Sequence, residues 1–206
     1  MSVGPKDLES AFPEFSVDHQ PLGTGGFKVA HQVEVDGISF VLKVVKQPID
    51  DPDAALPERL RRKIEAMRNV NSPRVVRIER GPEIREVGAE QHVWYLEPFY
   101  DGGTLDAWLG TPMAIDEVMT LTFGLLEAVE ALWNQGRLVH RDIKPANIAF
   151  DDERLPVLLD LGIALHENLT PITQDFGFSP RTPAYAAPEQ FEVRRLARID
   201  FRRTCS

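Results

Sequence analysis

The sequence predicts an α+β chain built as two lobes, a strand-rich first half and a mainly helical second half. Three observations carry this. In residues 21–46, Gly23, Gly25 and Gly26 cluster, and apolar residues then alternate on either side of Asp36-Gly37, the pattern of short strands joined by tight turns. After Asp116, Met119, Phe123, Leu126, Val129 and Trp133 recur at helical spacing until Gly136. Between the two patterns, Phe99-Tyr100-Asp101-Gly102-Gly103 reads as a linker and marks the lobe boundary.

Taken in order, residues 1–16 form a leader with at most a short helix, and residues 17–101 form the strand-rich lobe. That lobe opens with strand, glycine-rich turn, strand, Asp-Gly hairpin and strand, because Asp-Gly suits a two-residue turn between antiparallel partners. Pro48, Pro52 and Pro57 mark a loop, and Pro57 suits the first turn of a helix whose apolar face is Leu60, Ile64 and Met67. Lys63 falls on the margin of that face, whereas Glu58 and Glu65 fall nearly opposite it. Residues 75–80 and 92–99 read as strands separated by a polar loop at 81–91. In the second lobe, residues 102–192, Thr104 is placed to cap a short helix and Asp116 to cap the long one, whose apolar face is expected in the core. Strands at 148–150 and 157–159 flank an acidic turn, residues 163–183 read as a long polar loop, and residues 193–206 are a basic tail.

Composition narrows the function. A 206-residue chain with 43% hydrophobic and 27% charged residues has ample core for a globular fold. A net charge of −9 argues against nonspecific nucleic-acid binding. The N-terminus lacks the apolar stretch of a signal peptide, and no apolar run is long enough to span a bilayer. The single cysteine, Cys205, allows no intrachain disulfide, which fits a reducing, cytoplasmic setting.

The chemistry-bearing stretch is HRDIKPAN at 140–147, followed by LDLG at 159–162. Asp142 and Asn147 share one loop and Asp160 lies beyond a hairpin, an arrangement suited to a hydroxyl, two metal ions and a triphosphate. Each residue alone has a plainer reading: Asp142 as a brace for loop backbone, Asn147 as a turn cap, Asp160 as a strand end. The ordered set of a glycine-rich turn, VLK at 41–43, HRDIKPAN, DLG at 160–162 and APE at 187–189 resembles the eukaryotic-type (Hanks-type) serine/threonine protein kinases, which bacteria also use.

The resemblance spans nearly the whole chain and implies a bilobal protein-kinase-like fold with an incomplete C-lobe. It implies ATP- and Mg2+-dependent phosphoryl transfer to Ser or Thr hydroxyls of a protein substrate. Asp142 then matches the base and Lys144 the lysine that approaches the transferred phosphate. Asn147 and Asp160 match the metal-binding positions. Gly23, Gly25, Gly26 and Lys43 match the ATP phosphate contacts. Thr182 and Glu189 match substrate-side and structural positions of the activation segment, and His140 is expected to pack beneath the loop. In the family the arginine matching Arg141 often receives a phosphate from the activation segment, and Thr170, Thr173 and Ser179 are candidate acceptors of it.

Departures qualify the match. Lys28 stands where a third glycine is common, and Leu161 replaces the usual phenylalanine. Lys63 occupies the place of the helix glutamate that pairs with the strand lysine, unless a small shift brings Glu65 there. The family continues through further helices after APE, so either a C-terminally truncated or frameshifted chain or a naturally short one is expected, with apolar surface left for a partner to cover. Two alternatives stay open: an inactive or nucleotide-binding pseudokinase, which Lys63 favours, and a small-molecule kinase, against which the APE segment and Thr182 weigh.

Overall fold

The computed structural model describes residues 3–24, 28–46, 64–160 and 184–185. They fall into two units, one made of the chain up to Ile64 with Arg77–Phe99, the other of Glu65–Val76 with the chain from Tyr100 onward.

The first unit is an antiparallel sheet of β1 (Ser16–Thr24), β2 (Lys28–Val35), β3 (Ile38–Lys46), β4 (Arg80–Val87) and β5 (Glu90–Pro98), in the order β1-β2-β3-β5-β4. The hairpin between β2 and β3 turns at Asp36 and Gly37, with φ of 51° and 78°. Both residues are left-handed, the geometry that matches the twist of the flanking strands, so Val35 pairs with Ile38 and the register runs unbroken to Lys28 and Val45.

Alternation along the strands gives the sheet two different faces. Val33, Leu42, Val44, Trp94 and Leu96 share one face, and the N-terminal segment covers it. Helix α1 (Pro5–Ala11) starts at Gly4, whose N–H is satisfied by Asp7 Oδ2 at 2.9 Å, and proline at its first position costs no hydrogen bond. It delivers Leu8, Phe12 and Phe15 into the sheet's core cluster, with Leu8 and Phe12 0% exposed. Burial of such side chains stabilises by about 1.5–3 kcal/mol each. Arg85 closes the arrangement. Its guanidinium lies 4.6 Å from the Phe12 ring centroid and 4.8 Å from that of Trp94. Its Nη1 donates to Ala11 O at 3.0 Å and Glu14 Oε1 at 2.7 Å.

The strand pairing at β4 differs from the expected one. The stretch read as a polar loop, 81–91, is mostly strand, and β4 and β5 turn at Gly88-Ala89. The charged residues that suggested a loop are those of an edge strand, which stands at the rim of the sheet and is protected from further pairing by such side chains. Val75, expected within the preceding strand, instead makes an isolated parallel bridge with Leu158.

The second unit is organised by α2 (Ile115–Gly136) and the hairpin of β6 (Ile148–Phe150) and β7 (Pro156–Leu158). Ala114 N–H donates to Glu117 Oε2 at 2.8 Å, so Glu117 serves the helix start and Asp116 lies inside the first turn. Helix α2 ends at Gly136, and Arg137 takes the left-handed position with φ of 52°. The expected burial of its apolar face is only partly met. Gly124, Ala128, Val129, Ala131 and Leu132 are buried, whereas Met119, Phe123 and Leu126 are exposed. The helix packs on β7 through its small residues, and at Gly124 a Cβ would collide with the Pro156 ring. That contact turns the bulky residues outward.

The hairpin turn is held by Asp151, whose Oδ1 accepts the N–H groups of Glu153 and Leu155 at 3.1 and 2.8 Å. Its Oδ2 pairs with Arg74 Nη2 at 3.0 Å, while Arg74 Nη1 donates to Pro156 O at 3.2 Å. Thr104 precedes a short 3-10 helix, Leu105–Trp108, and its hydroxyl bonds Asp106. In the helical residues 64–68, Ile64 and Met67 are buried and Glu65 is exposed, the facing expected from the spacing. Lys63 lies outside the described residues.

Candidate active site

The loop after α2 is shaped by its own backbone demands. His140 is buried, its Nε2 bonds Leu159 O at 2.7 Å, and its Nδ1 accepts the N–H of Asp142 at 3.3 Å. A carbonyl on one nitrogen and an N–H on the other require the neutral ring protonated at Nε2. His140 thus supports the loop from beneath, as expected. Arg141 next to it takes a left-handed φ of 70°, a conformation unfavourable for a side chain with Cβ and maintained by its surroundings.

Asp142, Lys144 and Asn147 come together on this loop. Lys144 Nζ lies 2.8 Å from Asp142 Oδ2. Asn147, which is buried, donates its Nδ2 to the same oxygen at 3.0 Å and to the Asp142 backbone carbonyl at 2.7 Å. Oδ2 is therefore held from two sides, which fixes the carboxylate's rotamer. Both charged partners are about one-quarter exposed, with 27% for Asp142 and 25% for Lys144, so the pair borders solvent and a substrate could reach it.

Asn147 also joins this loop to the next site residue. Its backbone carbonyl accepts the N–H of Leu159 at 2.8 Å, where the chain leaves β7, and Asp160 follows with a left-handed φ of 55°. The sequence separation between Asn147 and Asp160 is thereby closed by the β6–β7 hairpin. The donor set fits a hard divalent cation. Asn147 Oδ1 and the Asp160 carboxylate offer oxygen ligands, and both nitrogens of His140 are already bonded to backbone. Such ligands suit magnesium rather than a thiophilic metal.

In the first unit, Lys43 stands on β3 and is 6% exposed. Its Nζ lies 2.5 Å from Glu97 Oε2 on β5 and 5.9 Å from the Tyr95 ring centroid. Glu97 did not emerge from the sequence as a site residue. The signal for it was an acid inside the apolar run VWYLEPF. Gly23 pairs with Ala30 near the end of β1, and the space where its Cβ would stand is open, as a group approaching the backbone requires. Gly25, Gly26, Thr170, Thr173, Ser179, Thr182 and Glu189 lie outside the described residues.

A family model described as "Protein kinase domain" matches residues 16–198. Serine/threonine-protein kinase 16 of Homo sapiens is 33% identical over 201 residues, covering 89% of this chain and 63% of the human protein. The Mus musculus protein of the same name is 32% identical over the same shares. Probable serine/threonine-protein kinase PknB of Lactococcus lactis is 28% identical, covering 82% of this chain and 26% of its own length. The chain thus spans somewhat less than two thirds of the mammalian relatives, at 63%. The match over residues 16–198 takes in both the β-sheet unit and the His140–Asp160 loop, and the chain belongs to the protein kinase domain family.

Proposed function

We propose that this chain transfers the terminal phosphoryl group of ATP to serine or threonine hydroxyls of a protein substrate. The observation that carries the reading is the fixed Asp142 carboxylate, held on one oxygen by Lys144 and Asn147. Asp142 orients the substrate hydroxyl and accepts its proton as the hydroxyl oxygen bonds the phosphorus and the bond to the leaving diphosphate breaks. Lys144 offsets negative charge next to that oxygen. Asn147 and Asp160 would ligate magnesium, and Lys43 with the backbone at Gly23, Gly25 and Gly26 would hold the phosphates. Magnesium, when bound, neutralises charge on the triphosphate. Most of the rate in such chemistry comes from positioning and electrostatics, which is what this loop supplies.

Family membership and relatives named as serine/threonine-protein kinases support the substrate class. The net charge of −9 weighs against a nucleic-acid partner. No described helix is long and apolar enough to cross a membrane, and a cytoplasmic setting is proposed from the single cysteine. A partner that covers the exposed apolar side of α2 is part of the same reading, supported by Met119, Phe123 and Leu126.

Transfer of labelled phosphate from Mg-ATP to a serine- and threonine-bearing protein panel tests the proposal. Asp142→Asn keeps the shape of the loop and removes the base, so transfer is expected to fall about 10²–10⁴-fold. Wild-type rates in that variant would remove Asp142 from the role. A wild-type chain that binds Mg-ATP yet transfers nothing would favour the pseudokinase reading.

A further inference from the structure

We infer that Glu97 is a positioning residue for Lys43, a carboxylate supplied by the sheet itself. The inference rests on the proposal that Lys43 contacts nucleotide phosphates.

The geometry is specific. In the β3–β5 ladder, Lys43 pairs with Tyr95 and Val41 with Glu97, so Lys43 and Glu97 are diagonal neighbours on one face. That is the face opposite the core cluster beneath α1, which takes the even-numbered residues Leu42, Val44, Trp94 and Leu96. Glu97 is 2% exposed and Lys43 6% exposed, and their charged atoms lie 2.5 Å apart. Two charges removed from water to this extent are costly unless paired, and each fixes the other's rotamer. The Tyr95 ring at 5.9 Å flanks the ammonium on the same face.

The strand setting matters. A glutamate on a helix can swing away as the helix moves, whereas Glu97 and Lys43 sit on adjacent strands whose register spans Phe40–Lys46 against His92–Pro98. The strand register therefore sets the spacing of Lys43 and Glu97. The arrangement also gives an apolar strand a reason to carry an acid. Glu97 has no place in the apolar core cluster and no solvent-exposed position, so its burial is accounted for by Lys43.

The test compares binding of Mg-ATP and of adenosine by calorimetry on the full chain. A residue that only stabilises the fold weakens both ligands, whereas one that positions Lys43 weakens only the ligand with phosphates. Glu97→Gln, which keeps the volume and removes the charge, is expected to weaken Mg-ATP about 10- to 100-fold, the scale of a charge-assisted contact. Adenosine affinity should stay within about twofold, the level at which no such contact is lost. In a Lys43→Met background, Glu97→Gln should have no further effect on ATP, because the two residues act as one unit. Glu97→Asp keeps the buried charge and therefore the fold, and should weaken ATP by less than Glu97→Gln does. Equal ATP affinity in wild type and Glu97→Gln, or parallel losses of ATP and adenosine, overturns the inference. Should Glu97→Gln not fold, unchanged ATP affinity in Glu97→Asp overturns it instead. A wild-type chain that binds adenosine but gains nothing from the phosphates overturns the nucleotide role of Lys43 itself, an outcome distinct from failure at Glu97.

Discussion

Asn147 donates its side-chain amide twice to Asp142, at 2.7 Å to the backbone carbonyl and at 3.0 Å to Oδ2. One residue therefore shapes the loop and aims its carboxylate, and on the proposed reading its amide oxygen would ligate a cation. Asn147→Ala removes all three effects. Transfer activity should fall about 10²–10⁴-fold, the range for a misdirected base. The magnesium concentration giving half-maximal activity should also rise. Loss of the buried donor costs about 1–3 kcal/mol of stability. Activity titrated against magnesium, beside thermal unfolding, separates the parts. An unchanged magnesium requirement would limit Asn147 to a structural role.

His140 connects the start of the loop to the end of β7, through Nε2 to Leu159 O and Nδ1 from Asp142 N. His140→Ala should leave both backbone groups short of a partner and destabilise by about 1–3 kcal/mol. Because the ring acts below the loop, transfer should fall through a lower kcat with little change in the KM for ATP. A large change in KM for ATP alone would contradict this placement.

The site loop was legible in the sequence because its contacts are local: Asp142, Lys144 and Asn147 lie within six consecutive residues. The β2–β3 hairpin was legible for the same reason, since Asp36-Gly37 specifies its own turn. Glu97 was hidden because its partner Lys43 is distant in sequence and depends on which strands pair. The edge strand β4 was mistaken for a loop because an edge needs charges that a central strand avoids. The outward face of α2 was misread because spacing shows that a helix has an apolar side, not what lies against it. There Gly124 on Pro156 decided the orientation, and small residues carry little hydrophobic signal.

That outward face leads to another measurable expectation. Met119, Phe123 and Leu126 are 51%, 56% and 47% exposed on neighbouring turns of α2. A grouped apolar surface of this kind promotes association. Phe123→Glu should lower concentration-dependent association seen by light scattering. It should change stability by no more than about 0.5 kcal/mol, as for surface substitutions. A loss of several kcal/mol would place Phe123 in the folded core.

The N-terminal cover on the sheet should be both strong and acid-sensitive. Phe12 is 0% exposed between Phe15, Trp94 and Arg85, so Phe12→Ala should cost about 3–5 kcal/mol in denaturant unfolding. The acid sensitivity comes from Glu14. Burial alone would raise its carboxyl pKa, but the Arg85 hydrogen bond, a backbone hydrogen bond and the charges of Arg85 and Arg80 outweigh this and lower it below the ordinary 4.5. A carboxyl with a lowered folded pKa stabilises the fold above its unfolded pKa, and that contribution disappears as pH falls through the folded value. The difference in melting temperature between wild type and Glu14→Gln should therefore be constant near neutral pH and shrink as pH drops below 4.5. The effect should be small, because the Glu14 side chain is 34% exposed and solvent screens the pair. A difference that instead grows on acidification would mean that Glu14 is not held by Arg85.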